Sequence, residues 1–415
     1  MKKIVLFFIA AFLLTFSYSC KKDSQSQNTV EPPQPNNQNA DELNETVFII
    51  GSIGKLMALD AVSGDVRWTF ILDSNANINY TTIFSSPVCV NNVVYIGSSD
   101  YKIYAIDAKT GVKKWSFQTK RFNVEPFGAY NSSPVVYNKT LYIGGANLYA
   151  INTEDGSLKW SQELGREINA SPLFVNDTIY ANAVGGPIQS FNATTGNHIA
   201  STNDRYVNFT NVSPRYHKGI LYTMADLVDE GHYEGIMLYC AESKSLDNIG
   251  FYVGIGVPVD EGDQVAYNSP AVHDESLYVC ADSVIYAYDI TKRFNFEKWN
   301  YKTGDVFTTS SPIADASTVY AANDAGAVHA LNAATGQLKW LFDVKKYGGE
   351  RIVNSPTLAN NRLYISSNRT FYSLNASTGE EIWHRDITGI YYYTSSPCVI
   401  SKSGETFHSS INGYE

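Results

Sequence analysis

The chain has little of what usually betrays a catalytic centre. Its 415 residues hold five cysteines with no CxxC or CxxCH spacing, so neither a thiol redox pair nor a covalently attached haem is written into it. The seven histidines (His198, His217, His232, His273, His329, His384 and His408) are dispersed, with no HExxH and no pair at i, i+4, and no GxSxG elbow occurs. Basic residues are outnumbered, 31 Lys and Arg against 41 Asp and Glu, and the formal net charge is −10. Such a surface repels nucleic-acid phosphates and gives no broad adhesion to anionic lipid. Sustained apolar positions at i, i+3, i+4 and i+7 are missing beyond the N-terminus, which argues against a helical body.

The first nineteen residues are a separate object. Lys2 and Lys3 precede the apolar run "IVLFFIAAFLLTF", too short for a comfortable span and typical of a secretory signal. It ends in "SYSC", placing Cys20 where a lipoprotein signal carries its modified cysteine, although Ser17 stands where Leu is usual. Lipidation of Cys20 would hold the protein to a membrane of the cell envelope, outer membrane expected, without a spanning helix; the alternative is ordinary cleavage after a small residue. Cleavage after residue 19 removes two lysines and no acids, leaving a net charge of −12. Residues 20–46 follow as a linker rich in Gln, Asn, Pro and Ser, a composition that cannot bury enough apolar surface to order itself.

What is abundant is aromatic and alternating. Tyrosines number 29 against four methionines, and runs such as "NVVYIGS" (92–98) and "RLYISS" (362–367) alternate as half-buried strands do. One phrase recurs: "ALDAVSGDVRW" (58–68), "AIDAKTGVKKW" (105–115), "AINTEDGSLKW" (150–160), "SFNATTGNHIA" (190–200), "ALNAATGQLKW" (330–340) and "SLNASTGEEIW" (373–383), with looser copies at 239–249 and 287–299. Its Asp or Asn closes a strand with an Asx-turn, and Gly64, Gly111, Gly156, Gly196, Gly336 and Gly379 supply a positive φ. All six tryptophans, Trp68, Trp115, Trp160, Trp299, Trp340 and Trp383, occupy one slot of this phrase, so they read as strand-docking residues. Ser-Pro recurs eight times, at Ser86, Ser133, Ser171, Ser213, Ser269, Ser311, Ser355 and Ser396, each followed by a strand. The unit is therefore strand A after Ser-Pro, then B, C, a Gly turn and D: a four-stranded propeller blade repeated eight times over residues 47–415. The first unit lacks strand A and the last has only strand A, "SSPCVI", so the C-terminus should complete blade one. Residues 405–415 would be a second strand or an exit segment. Cys89, Cys240, Cys280 and Cys398 lie singly in strands and read as buried small hydrophobes; an oxidising compartment would permit a disulfide, though no spacing demands one.

The A-x-[DN]-x-x-T-G-x-x-x-W phrase resembles the docking motif of the quinoprotein-type (PQQ-like repeat) eight-bladed β-propellers. This family includes quinone-dependent alcohol dehydrogenases and a lipoprotein scaffold of the outer-membrane barrel-assembly machine. For the dehydrogenases the resemblance would imply an axial quinone stacked on a tryptophan, a ring of adjacent cysteines, calcium and a catalytic Asp. This chain has no adjacent cysteine pair and no spare tryptophan, so no quinone, no catalytic residue and no metal ligand are expected. Anchor, blade number and length resemble the scaffold lipoprotein instead, which implies a non-catalytic role through protein partners.

Function then falls to the loops. In a four-stranded blade the D–A and B–C loops share one face, the face on which this sequence varies. There the candidate partner residues are Arg121, Phe122, Phe127, Tyr130, Tyr206, Lys346, Tyr347, Arg351, Tyr391, Tyr392 and Tyr393, a Tyr, Phe and Arg set that suits a protein or a glycan. Unit five adds an acidic group, Asp226, Asp229, Glu230, Asp260, Glu261 and Asp263, read as two loops. It offers the oxygen ligands Ca²⁺ takes, against the alternative of solvated loop charge. A small-molecule or glycan-binding propeller and a divergent quinone enzyme remain the competing readings.

Overall fold

A chain of short alternating strands, each buried on both faces near one end of the unit and on one face near the other, must stack its sheets radially. The computed structural model describes residues 45–51, 54–72, 85–120, 132–204, 207–209, 212–229, 232–249, 253–255, 268–292, 296–352, 354–387 and 395–408, with backbone alone at 228–229, 232–234 and 253–255. These residues form eight antiparallel sheets arranged as the blades of a propeller. Helix among them amounts to the 3-10 turn Val344–Tyr347 and a single 3-10 residue, Gly54. No helix among the described residues is long and apolar enough to cross a membrane.

Blade two shows the plan. Its strands are Val88–Val90, Val93–Ser98, Lys102–Asp107 and Lys113–Gln118. The inner two are buried at every position, while the rim strand buries Trp115 and exposes Lys113, Lys114 and Ser116. Asn91 and Asn92 turn the first hairpin with φ of 50° and 59°, a conformation Asn tolerates better than most residues. At the other end of the blade Asp107 Oδ1 accepts from the amides of Lys109 and Thr110, the Asx-turn expected from the phrase. Eight apolar clusters fill the wedges between blades, so the hydrophobic core is a ring of interfaces rather than one central mass. Each fully buried Leu, Ile or Phe in them contributes about 1.5–3 kcal/mol.

Closure follows the expected route. Cys398–Ile400 pairs antiparallel with Thr46–Gly51, Val47 facing Val399, and so supplies the strand that blade one lacks. The seam to blade eight is clasped by charge as well. Glu45 accepts from Asn360 Nδ2 at 2.6 Å and from Arg362 at 3.2 Å, while Arg385 donates to the Gly64 carbonyl at 2.7 Å and pairs with Asp65. Arg67 bridges Asp60 and Thr46 within blade one. Burial pulls the Asp60 carboxyl upward, but the hydrogen bond from Arg67 and those from the Ser63 and Val62 amides overcome it and hold the group at about 2.

Two elements depart from expectation. Residues 225–235, read as a B–C loop, are mostly strand: Ile220–Asp229 and His232–Glu242 form one long hairpin in blade five, with Asp226 opposite Ile236. The reason is visible in "ILYTMADLVD", where strand-compatible residues run past the normal blade edge and find a further partner in Val207–Asn208. Second, residues 405–415 are in part a fifth strand. Thr406–His408 pairs with Cys398–Ile400 on its inner side, toward the axis.

Candidate functional site

Three regions compete for function: the axis with its ring of serines, the docking-turn face, and the variable loop face. At the axis the eight Ser-Pro serines make a closed circuit. Each backbone amide donates to the hydroxyl of the next blade's serine: Ser86 to Ser133 at 2.9 Å, then to Ser171, Ser213, Ser269, Ser311, Ser355, Ser396 and back to Ser86, all between 2.8 and 3.1 Å. Small size alone, the reason the sequence suggests, is therefore an incomplete account. The hydroxyl is the acceptor that satisfies a buried amide of the neighbouring blade. Each hydroxyl thus has a structural task, joining its blade to the next.

The docking turns repeat one device. Each indole Nε1 donates to a carbonyl of the next blade's turn: Trp68 to Ala108, Trp115 to Thr153, Trp160 to Ala193, Trp299 to Ala333, Trp340 to Ala376 and Trp383 to Ala61, at 2.9–3.0 Å. The turn glycine is needed twice over. Its φ is near +70°, and a Cβ on Gly111 would sit 2.8 Å from the Trp68 ring, with the same collision at Gly64, Gly156, Gly196, Gly336 and Gly379. Six of eight joints are built this way. At the joint between blades four and five the roles are exchanged: Ala200 stands in the tryptophan slot, and Leu246, at φ +61°, stands in the glycine slot with its side chain buried. The turn keeps its hydrogen bonds, Leu246 N to Glu242 O at 2.8 Å as in Gly64 N to Asp60 O. Tyr180 reaches the Ser243 carbonyl that an indole would share, at 2.8 Å. What looks like a worn repeat is a compensated one.

The loop face is where the expectations divide. Lys346 and Tyr347 sit in the 3-10 turn Val344–Tyr347, capped by Asp343, whose carboxylate accepts from the Lys345 amide, and by Gly348 at φ 79°. Tyr347 is 48% exposed and stacks on Phe342 with ring centres 5.2 Å apart. Arg351 pairs with Asp324, which also accepts from the Thr308 amide and hydroxyl at 3.1 and 2.7 Å. That network joins two D–A loops to a B–C loop, so both loop types do share a face. Arg351 is thus half-exposed and held in place rather than free to rearrange. Asp324, its partner, was not singled out by sequence, because nothing in "ANDAGA" distinguishes it from an ordinary turn Asp. Arg121, Phe122, Phe127, Tyr130, Tyr206, Tyr391, Tyr392 and Tyr393 lie outside the described residues, as does Cys20.

Of the acidic group, Asp226 is described and is not a solvated loop charge. It lies within the blade-five hairpin, partly buried, and burial raises its carboxyl to about 6. Asp229 is placed in the same strand by its backbone; Glu230, Asp260, Glu261 and Asp263 lie outside the described residues. Among the described residues no group of three His, Cys, Asp or Glu is arranged to hold a metal ion.

On the axial side of blade one lies a further strand of the chain itself. Thr406–His408 lies against the inner strands of blades two and eight, and Thr406 Oγ1 donates to the Cys89 carbonyl at 2.6 Å. His408 is fully buried; burial, with the nearby Arg215 guanidinium adding to it, lowers its pKa to about 3. Arg215 comes from the inner strand of blade five, on the opposite side of an eight-blade ring. Neither residue was a sequence candidate, since a three-residue strand carries no periodic signal.

Comparison with known proteins now decides the family. The profile described as outer membrane protein assembly factor BamB matches residues 43–146, 121–222 and 260–403, most of the propeller. The chain belongs to the BamB family. Among solved structures it is similar to BamB from Moraxella catarrhalis, at 16% identity and a TM-score of 0.58, covering 78% of this chain and 89% of that one. It is also similar to the computationally designed Ika8 protein, at 12% and 0.58 over 79% and 96%, and to apo AztD from Citrobacter koseri, at 10% and 0.56 over 88% and 99%. Identities this low speak for fold alone. A curated relative, the tetrathionate hydrolase of Acidithiobacillus ferrooxidans, is 23% identical over 261 residues, 61% of this chain and 52% of that protein. The chain spans about half the length of that curated relative.

All six indoles are committed at blade joints, and Thr406–His408 fills the inner side of blade one on the axis. Cys89 and Cys398 face a blade interface, packed with Phe48, Val94 and Ile106.

Proposed function

We propose that this protein is a non-catalytic, membrane-anchored BamB-family propeller that acts as a protein-interaction scaffold in the cell envelope, in outer-membrane protein assembly. The observation that carries this reading is the chain's own Thr406–His408 strand, which pairs on the axial side of blade one and buries His408 there. Binding then falls to the loop face, where Tyr347 is presented on a capped turn and Arg351 is held by Asp324. An exposed, positioned aromatic and an oriented guanidinium on one loop are the kind of anchors protein interfaces use. Lipidation at Cys20, with residues 21–46 as tether, supplies the attachment in this reading. The experiment is affinity capture of the full-length lipidated chain from detergent-solubilised envelope. Enrichment of barrel-assembly proteins supports the scaffold; glycan-array binding with no protein enriched replaces it by the glycan-binding alternative.

A second reading rests on the 23% match to a tetrathionate hydrolase and on the desolvated Asp226, a carboxyl poised near neutral pH. Incubating the purified protein with tetrathionate decides it, since turnover lost on Asp226→Asn would make the propeller an enzyme.

A further inference from the structure

Four described cysteines are free and buried, yet they are not equivalent. Cys240 lines the wedge between blades five and six with Tyr222 and Val279, whereas Cys280 points the other way, into the wedge holding Trp299 and Phe307. No other cysteine shares either wedge among the described residues. Cys89 and Cys398 share one. Cys398 lies on the strand that completes blade one, Cys89 on the inner strand of blade two, and both belong to the apolar cluster between those blades, each 0% exposed. The strands carrying them are tied side by side, with Ser396 N donating to Ser86 Oγ at 2.9 Å and Thr406 Oγ1 to the Cys89 carbonyl at 2.6 Å. The Cys398 sulfur lies within hydrogen-bond reach of the Cys89 backbone.

We infer that Cys89 and Cys398 are a disulfide-forming pair, a modification site that locks the ring covalently once the C-terminal strand has completed blade one. The bond would join residues 309 positions apart in sequence and fasten the strand on which closure depends. Chemically, one thiolate attacks a disulfide oxidant of the glutathione or thiol-oxidoreductase class and forms a mixed disulfide. The second thiolate then displaces the oxidant's remaining thiol. The two cysteines lose two protons and two electrons, and the oxidant's disulfide is reduced to two thiols. Burial pushes the Cys398 thiol up to about 12 and raises that of Cys89 well above its usual value, so the closed reduced ring supplies almost no thiolate. The bond therefore forms during folding, as the C-terminal strand docks and before the wedge is fully buried, and is protected afterwards. The geometry and not the location of the protein carries the inference.

The test refolds the full chain from the reduced, unfolded state in a reduced–oxidised glutathione buffer, with a dithiothreitol refold as control. Peptide mapping without reduction is expected to show one cross-linked pair containing Cys89 and Cys398, lighter by two hydrogen atoms than the separate peptides. Unfolding in denaturant is expected to slow roughly tenfold relative to the control, and dithiothreitol in the unfolding buffer to abolish the difference. Cys89→Ser should lose both effects, and Cys398→Ala serves if that variant does not fold. Free, alkylatable thiols at Cys89 and Cys398 after oxidative refolding, or a bond from either to Cys20, Cys240 or Cys280, would overturn the inference.

Discussion

Replacing Ala200 by Trp and Leu246 by Gly would convert the joint between blades four and five into the form found at six others. Singly, each change should hurt. An indole at position 200 would meet the buried Leu246 side chain in the slot where the other turns leave room for it, and overpacking of this kind costs about 1–3 kcal/mol. Leu246→Gly leaves a leucine-sized void, worth about 2–5 kcal/mol, less the relief of about 1–2 kcal/mol from removing a side chain at φ +61°. Together the changes complement one another. The new indole can stack on Gly at 246, and its Nε1 can donate to the Ser243 carbonyl alongside Tyr180, as Trp160 and Tyr142 share the Ala193 carbonyl at 2.9 and 3.0 Å. The double variant is therefore expected within about 1 kcal/mol of wild type, with a coupling energy above roughly 2 kcal/mol. Urea denaturation of the four proteins, followed by tryptophan fluorescence and by circular dichroism, measures it. Additivity within about 0.5 kcal/mol would refute the claim that Leu246 fills the tryptophan slot.

Three further outcomes follow from the same geometry. Ser311→Ala removes the acceptor of the buried Ser269 amide and should lower stability by about 1–3 kcal/mol in the same assay, more than Ser→Ala at an exposed site such as Ser377. Acid should destabilise the ring through two histidines whose folded pKa values lie below their unfolded values, His329 at about 4 and His408 at about 3, both lowered chiefly by burial. The unfolded chain then binds the extra proton, so stability present above about pH 6.5 is lost at roughly 1.4 kcal/mol per pH unit per histidine as pH falls toward those values. Asp226, raised to about 6, works in the opposite sense between about pH 6 and 3.8 and partly masks the loss. Asp226→Asn should therefore steepen the acid limb, and His329→Gln should flatten it. Deleting residues 405–415 removes the axial strand and leaves Cys398–Ile400 in place, so the chain should still fold but exchange the amide hydrogens of residues 398–400 and 88–90 faster.

How much of this was legible from residues alone depends on whether the signal repeats. The Trp, Gly and Asx positions recur at fixed spacing, because every blade solves the same docking problem, and so the blade count, the strand order and closure by "SSPCVI" could be read directly. The Ser-Pro ring was legible as a ring but not as a hydrogen-bonded circuit, since spacing along one blade says nothing of which amide it meets in the next. Leu246 was illegible for a related reason: a swap across a joint breaks the pattern in two places, and only contact between Ala200 and Leu246 shows the breaks to be one event. The blade-five hairpin was misread because Asp226 and Asp229 look like loop residues until His232–Glu242, and for Asp226 also Val207–Asn208, give their backbone a partner. On the loop face, Lys346, Tyr347 and Arg351 were found by composition, but the Asp324 contact that orients Arg351 spans 27 residues and leaves no sequence trace.

The scaffold proposal places binding on the loop face, toward protein partners, rather than at a site on the axis. Capture of the lipidated full-length chain from solubilised envelope, with Tyr347→Ala/Arg351→Ala captured in parallel, tests it most directly. The account predicts that envelope barrel-assembly proteins are enriched with the wild type and reduced at least several-fold with the double variant, whose fold is unchanged by circular dichroism. Equal enrichment by both proteins, or none by either while tetrathionate is turned over, would contradict it.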